Sequence, residues 1–361
     1  MYRTLCPESK QSAKAFTIVE LLVAVSVTAI LVTLMVSVTA NVLNAWNRSS
    51  AVLTTGNQAR LILDQLSQDL NGALLKRSGD AMMAATIQPA QTTTGDAGIG
   101  TAVWIAAAKP SGAVSLNYNP LVSMGVDFSD YRFGHAGVWL RFFTIPSDNS
   151  STNTKDASAP RAVSYQMSRI RIGGTTSQQV GYVLYRSEVR PNHDTASLQA
   201  RSVFALGYDL AGANLYNNPT ATNSGDSEPG SIRRPDASQI IGNDVIDFGV
   251  RFLERLNTGA LAEVYPVDRR AASASSGFNQ NFVASNIPAA AAASTAYGYP
   301  AVAEVFVRIL SSEGVRLINA FEAGLISLPA GFASDDAYWW ELAEQNSKVF
   351  TRRIEIRSSA L

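Results

Sequence analysis

Between Leu21 and Asn47 the chain carries no charged residue. A helix of about 27 residues rises roughly 40 Å, enough to cross a bilayer core of about 30 Å. The segment before it is polar and carries Arg3, Lys10 and Lys14 against Glu8. Excess positive charge ahead of an apolar run places the N-terminus in the cytoplasm and the rest outside. A secretory signal has an apolar region of roughly 7–15 residues and then small residues at a cleavage site. This run is about twice as long, with no proline between Pro7 and Pro89. It predicts a single membrane-crossing helix.

Glu20 stands at the head of that run. A carboxylate there costs about 1–3 kcal/mol depending on depth, and a plain anchor gives no reason for it. A cut between Ala15 and Phe16 supplies one. Phe16 would then bear a new α-amino group with Glu20 one turn further on, where the helix dipole favours a negative charge. In a bundle of such helices Glu20 can meet a neighbour's amino terminus. Two buried charges, each costly alone, become tolerable as a pair and set axial register between subunits.

The stretch Lys14-Ala15-Phe16-Thr17-Ile18-Val19-Glu20-Leu21-Leu22-Val23-Ala24 resembles the prepilin cleavage and methylation motif of type IV pilins and type II secretion pseudopilins. The resemblance implies that a prepilin peptidase cuts between Ala15 and Phe16 and methylates the amine of Phe16. It assigns Glu20 to assembly register. The family usually has glycine before the cut. Here the residue is Ala15, the next smallest. The leader, residues 1–15, is longer than in most major pilins, and its removal leaves a mildly acidic mature chain.

Beyond a transmembrane and assembly helix at 16–42, an amphipathic continuation is expected over 43–75. Ile62, Leu66, Leu70 and Ala73 recur at helical spacing with Leu63 and Leu74 beside them, while Arg60, Asp64, Gln68 and Asn71 face away. The helix should end near Gly72 to Gly79. The stem, 16–75, would be roughly 90 Å long. Residues 76–361 read as an extracytoplasmic β-rich domain. Candidate strands are Val103–Ala107, Gly137–Ile145, Ala162–Ile172, Val180–Val189, Val245–Leu253, Ala303–Ile309 and Arg353–Arg357. Val305, Val307 and Ile309 alternate with Glu304 and Arg308, and Ile354 and Ile356 with Arg353, Glu355 and Arg357, predicting antiparallel sheet half exposed to water. One late helix is expected at Asp335–Gln345, capped by Ser334, with Tyr338, Trp339 and Leu342 buried and one of Trp339–Trp340 partly exposed. Ser147–Pro160, Asn217–Asp236 and Ala271–Ala296 read as low-complexity loops, the last marking a sheet edge rather than a domain boundary. The expected class is α+β: a long N-terminal stem helix followed by mainly antiparallel sheet. Size and arrangement resemble the larger J-type minor pseudopilins, and also the prepilin-like proteins of the Verru_Chthon cassette, whose C-type member ends in a strand like Phe350–Arg357.

Catalytic chemistry finds little footing. His135 and His193 lack second ligands at metal spacing. Gly95–Gly100 has no following Lys-Ser/Thr, and no serine stands in a nucleophile elbow. Asp127 with Asp130, and Asp244 with Asp247, read as solvated carboxylates rather than a calcium site, and Arg233-Arg234 as an exposed loop pair. Cys6 has too few residues before it to follow an export segment, and it lies in the expected leader. With 29 basic and 29 acidic residues, no basic face suggests nucleic acid. No enzyme, cofactor or metal is expected. The resemblance implies a structural filament subunit in the inner membrane whose partners are other pilin or pseudopilin subunits, the prepilin peptidase and the inner-membrane assembly platform. A membrane-anchored binding module that forms no filament is the alternative.

Overall fold

The computed structural model describes residues 17–75, 81–87, 128, 131–133, 137–145, 161–171, 180–189, 237–268, 281–285, 298–356 and 359–360. The chain divides into two compact units, Met1–Leu53 and Thr54–Leu361. The leader, Ala15, Phe16, the candidate strand Val103–Ala107, both histidines, Asp127, Asp130, Gly95–Gly100, Arg233 and Arg234 lie outside the described residues.

Helix α1, Ile18–Asn71, is the first element. In the first unit all of its described side chains are exposed. In the second unit one face is buried: Ala59, Ile62, Leu63, Leu66 and Leu70, the face the spacing predicts. The helix ends at Asn71, not at 75. Gly72 follows because the chain there touches a neighbouring strand end, where a Cβ would lie 2.4 Å from the Ile145 carbonyl oxygen.

Among the described residues the β structure is two antiparallel sheets and one short parallel pair. The strands are β1 (Leu74–Leu75), β2 (Ala81–Ile87), β3 (Val138–Thr144), β4 (Arg161–Arg171), β5 (Val180–Val189), β6 (Ile240–Asn243), β7 (Val245–Arg255), β8 (Leu261–Tyr265), β9 (Asn281–Ser285), β10 (Val302–Leu310), β11 (Ser347–Glu355) and β12 (Ser359–Ala360). A six-stranded sheet runs β6-β5-β4-β3-β2-β9, a four-stranded one β11-β10-β7-β8, and β1 pairs in parallel with β12. Helices α2 (Ser312–Glu322) and α3 (Asp335–Gln345) lie between β10 and β11 in the chain. One apolar cluster joins Ile62, Leu66 and Leu70 of α1 to Leu140, Phe142 and Tyr165 of the larger sheet and Phe248, Val250 and Val307 of the smaller. Gly242 in β6 lies against α1. A Cβ there would meet the Ile62 side chain at 2.7 Å.

Several expectations are corrected. The stretch Ala271–Ala296 is not all loop: it supplies β9, an edge strand. Strand β10 is not half exposed, because Phe306 is fully buried and Arg308 nearly so. As a central strand it is covered on both faces, and the rings of Phe128 and Phe133 pack on Phe306 at 5.3 and 5.4 Å. Strand β11 begins at Ser347, six residues before the expected start. The late helix has the expected bounds and cap, with the Ser334 hydroxyl accepting from Ala337 N–H. Trp339 and Trp340 are nevertheless both buried, and Tyr338 is only half-buried. The Arg132 guanidinium lies 4.9 Å over the Trp340 ring and shields it.

Leu66→Ala should destabilise the protein by about 2–5 kcal/mol, because the site is fully enclosed. Leu61→Ala, at a position 70% exposed, should change stability by less than about 0.5 kcal/mol. Urea unfolding of the detergent-solubilised chain, followed by tryptophan fluorescence, measures both.

Candidate functional site

The described start of α1 is a reciprocal cap. Thr17 N–H donates to Glu20 Oε2 at 2.9 Å, and Glu20 N–H donates to Thr17 Oγ1 at 3.3 Å. The Thr17 hydroxyl also donates to Glu20 Oε2 at 3.0 Å, and the Thr17 carbonyl accepts the first helical bond, from Leu21. This is a capping box, Thr-x-x-Glu, which satisfies two otherwise orphaned N–H groups. The expectation that an anchor leaves Glu20 unexplained is thereby corrected. The carboxylate has a local task whether or not it meets another subunit. Thr17, whose spacing to Glu20 is a legible sequence signal, is the residue that sequence reasoning passed over.

From Ile18 to Trp46 the helix is long and apolar enough to cross a membrane, and none of it is buried by its own chain. Leu22, Ile30, Leu34 and Met35 are each more than half exposed. Exposed apolar surface on this scale marks a lipid or protein contact. The hydroxyls of Ser26, Thr28, Thr33 and Thr39 donate to the carbonyls four residues back, those of Leu22, Ala24, Ala29 and Met35, at 2.7–2.8 Å. These hydroxyls therefore need no water, and the backbone bonds of a helix close within the segment.

At its other end α1 is held by charge. Arg186 of β5 grips Asp69 with two parallel bonds, Nε to Oδ2 at 2.7 Å and Nη2 to Oδ1 at 2.9 Å. Tyr165 of β4 donates to the same carboxylate at 2.5 Å. The row continues through Glu188, which accepts from Arg186 Nη1 at 2.9 Å and from Arg161 Nη1 at 2.8 Å. Burial, and then the charge of Asp69, push the Tyr165 phenol well above its usual range, so it acts as a neutral donor. Nearby, Arg352 of β11 pairs with Asp64, whose carboxyl is held below its ordinary range by that contact. Asp64 is thus half-buried against a sheet rather than facing away. Asp69 was not singled out in the sequence, because its partners lie 96 and 117 residues away.

A second buried carboxylate, Glu322 of α2, accepts from Trp339 Nε1 at 2.9 Å, from the Tyr182 hydroxyl at 2.5 Å and from Arg169 Nε at 3.1 Å. Like Asp69 it ties a helix to β4 and β5. Asp247 is fully buried and accepts from Phe133 N–H at 3.0 Å, so it is not the solvated carboxylate expected. Asp244, at φ 59° between β6 and β7, is half-buried, and burial pushes its carboxyl up. Among the described residues no group of three His, Cys, Asp or Glu side chains could hold a metal ion.

No protein-family model, curated protein or solved structure matches this chain.

Asp69→Asn should cost about 1.5–3 kcal/mol, because a largely buried guanidinium loses one of its two carboxylate partners and keeps only Glu188. Chemical unfolding measures the loss, which should exceed that of Asp64→Asn at the more exposed pair.

Proposed function

We propose that the chain is a structural subunit of a type IV pilus-like or type II secretion filament, a minor pseudopilin in character, and not an enzyme. The observation that carries this is an exposed apolar helix headed by Phe16-Thr17-Ile18-Val19-Glu20 and joined to an antiparallel β domain. In this reading the prepilin peptidase cuts between Ala15 and Phe16 and methylates Phe16. The chain crosses the inner membrane once, N-terminus in the cytoplasm and β domain in the periplasm, with an excess of basic residues on the inner side. The assembly platform then lifts the helix from lipid into contact with other stems, where Glu20 meets the amino terminus of a neighbour.

The capping box supports a second reading, an anchored extracytoplasmic binding module that forms no filament, since it accounts for Glu20 inside a single chain. The two readings separate on chemistry. Mass spectrometry of the N-terminal peptide should find N-methylated Phe16, and an intact Met1 leader would favour the binding module. Glutamine serves in a capping box nearly as well as glutamate but carries no charge. If Glu20 sets register, Glu20→Gln and Glu20→Ala should each lower filament incorporation by about tenfold or more, while Thr17→Ala should be tolerated. A Glu20→Gln protein that incorporates like the wild type would remove the register role.

A further inference from the structure

Three polar side chains of the apolar helix do not satisfy themselves. The hydroxyls at 26, 28, 33 and 39 reach back to the helix carbonyls. Among the described residues, Ser37, Asn41 and Asn44 have no hydrogen-bond partner. At about 100° per residue the three fall within an arc of about 60°. The same face continues inward through Leu34, Ile30, Val27 and Val23, all exposed, with alternating steps of three and four residues. That is the seam of a paired helix, with Asn41 at an a position and Asn44 at a d position. Most residues from Ile18 to Trp46 are apolar on every side of the helix, so the aliphatic part of the seam does not select a face. The two amides do.

Trp46 lies on the opposite face and is 72% exposed. An indole at the end of an apolar span belongs at the membrane interface. Asn41 then sits about 7–8 Å deeper, at the edge of the hydrocarbon, and Ser37 about 13 Å deeper. A carboxamide at that depth loses water and needs another partner. The apolar run is the same in every copy and sets the same depth in every copy, so Asn41 of one chain is level with Asn41 of the next. An amide carries one acceptor and two donor hydrogens and is its own complement.

We propose that two copies of this chain pair in the membrane, parallel and level, along the face bearing Ser37, Asn41 and Asn44, through reciprocal carboxamide hydrogen bonds. The pairing rests on the membrane-inserted reading of the helix and precedes any filament. It places the amides where they choose partner and register, as a buried asparagine does in a coiled coil.

The test uses the full-length chain in liposomes at low protein-to-lipid ratio. Its single cysteine, Cys6, is replaced by serine, and one reporter cysteine is introduced by Ser37→Cys on the seam or Met35→Cys on the opposite face. Oxidation should cross-link the Ser37→Cys protein about three- to tenfold more than the Met35→Cys protein. Adding Asn41→Leu with Asn44→Leu should lower the Ser37→Cys cross-link by a similar factor, although these changes make membrane insertion easier. Equal cross-linking at 35 and 37 overturns the proposal, as does a leucine pair that leaves the Ser37→Cys signal unchanged or raised. No cross-link at either position also overturns it. Filament assembly is judged separately, by the Phe16 modification and the Glu20 series, so the two readings fail independently.

Discussion

Asp69 sits in the last turn of a long helix, where the helix dipole disfavours negative charge. It is also nearly buried. Both facts require a cation, and Arg186 meets the requirement with a bidentate grip while Tyr165 donates to a further lone pair of Oδ2. Since Arg186 is on β5 and Tyr165 on β4, the contact fixes which turn of the helix lies over which strands. The hydrophobic face of Ile62, Leu66 and Leu70 supplies most of the attraction, but apolar contact alone tolerates sliding. The ion pair does not. Glu322 performs the same service for α2 and α3 at another part of the β4–β5 pair.

One continuous helix thus serves two surroundings. Up to Leu53 its described side chains are exposed on every face, and most of them are apolar. From Thr54 onward it has one buried face, with Asn57, Arg60 and Gln68 exposed. The helical backbone suits both because its hydrogen bonds close within the segment. The serine and threonine hydroxyls of the apolar part follow the same rule by bonding to their own carbonyls. Thr17 and Glu20 extend it to the first turn, where N–H groups have no helical acceptor. Ser37, Asn41 and Asn44 depart from it, which is why they point to something outside the chain.

Long elements with strong periodicity were legible in advance. Strand β5 and helix α3 have their expected bounds, since alternation, capping and turn residues agree there. Strand β2, Ala-Met-Met-Ala-Ala-Thr-Ile, was not legible: alanine is a poor strand former, and burial on both faces erases the alternation. Helix α2 was hidden by Gly314, although Ser311 and Glu313 signal its start. Strand β9 lay inside a stretch whose composition reads as loop, and it exists because β2 offers it an edge.

The sequence by itself determined a helix long and apolar enough to cross a membrane, its amphipathic continuation and a mainly antiparallel domain, because each depends on residues close together in the chain. Tertiary structure alone decided that Asp69 and Glu322 anchor helices to the sheet, that both tryptophans of α3 are buried, and that β10 is covered on both faces. Those outcomes depend on partners more than a hundred residues distant in several cases, and no local pattern encodes which distant arginine a carboxylate will meet.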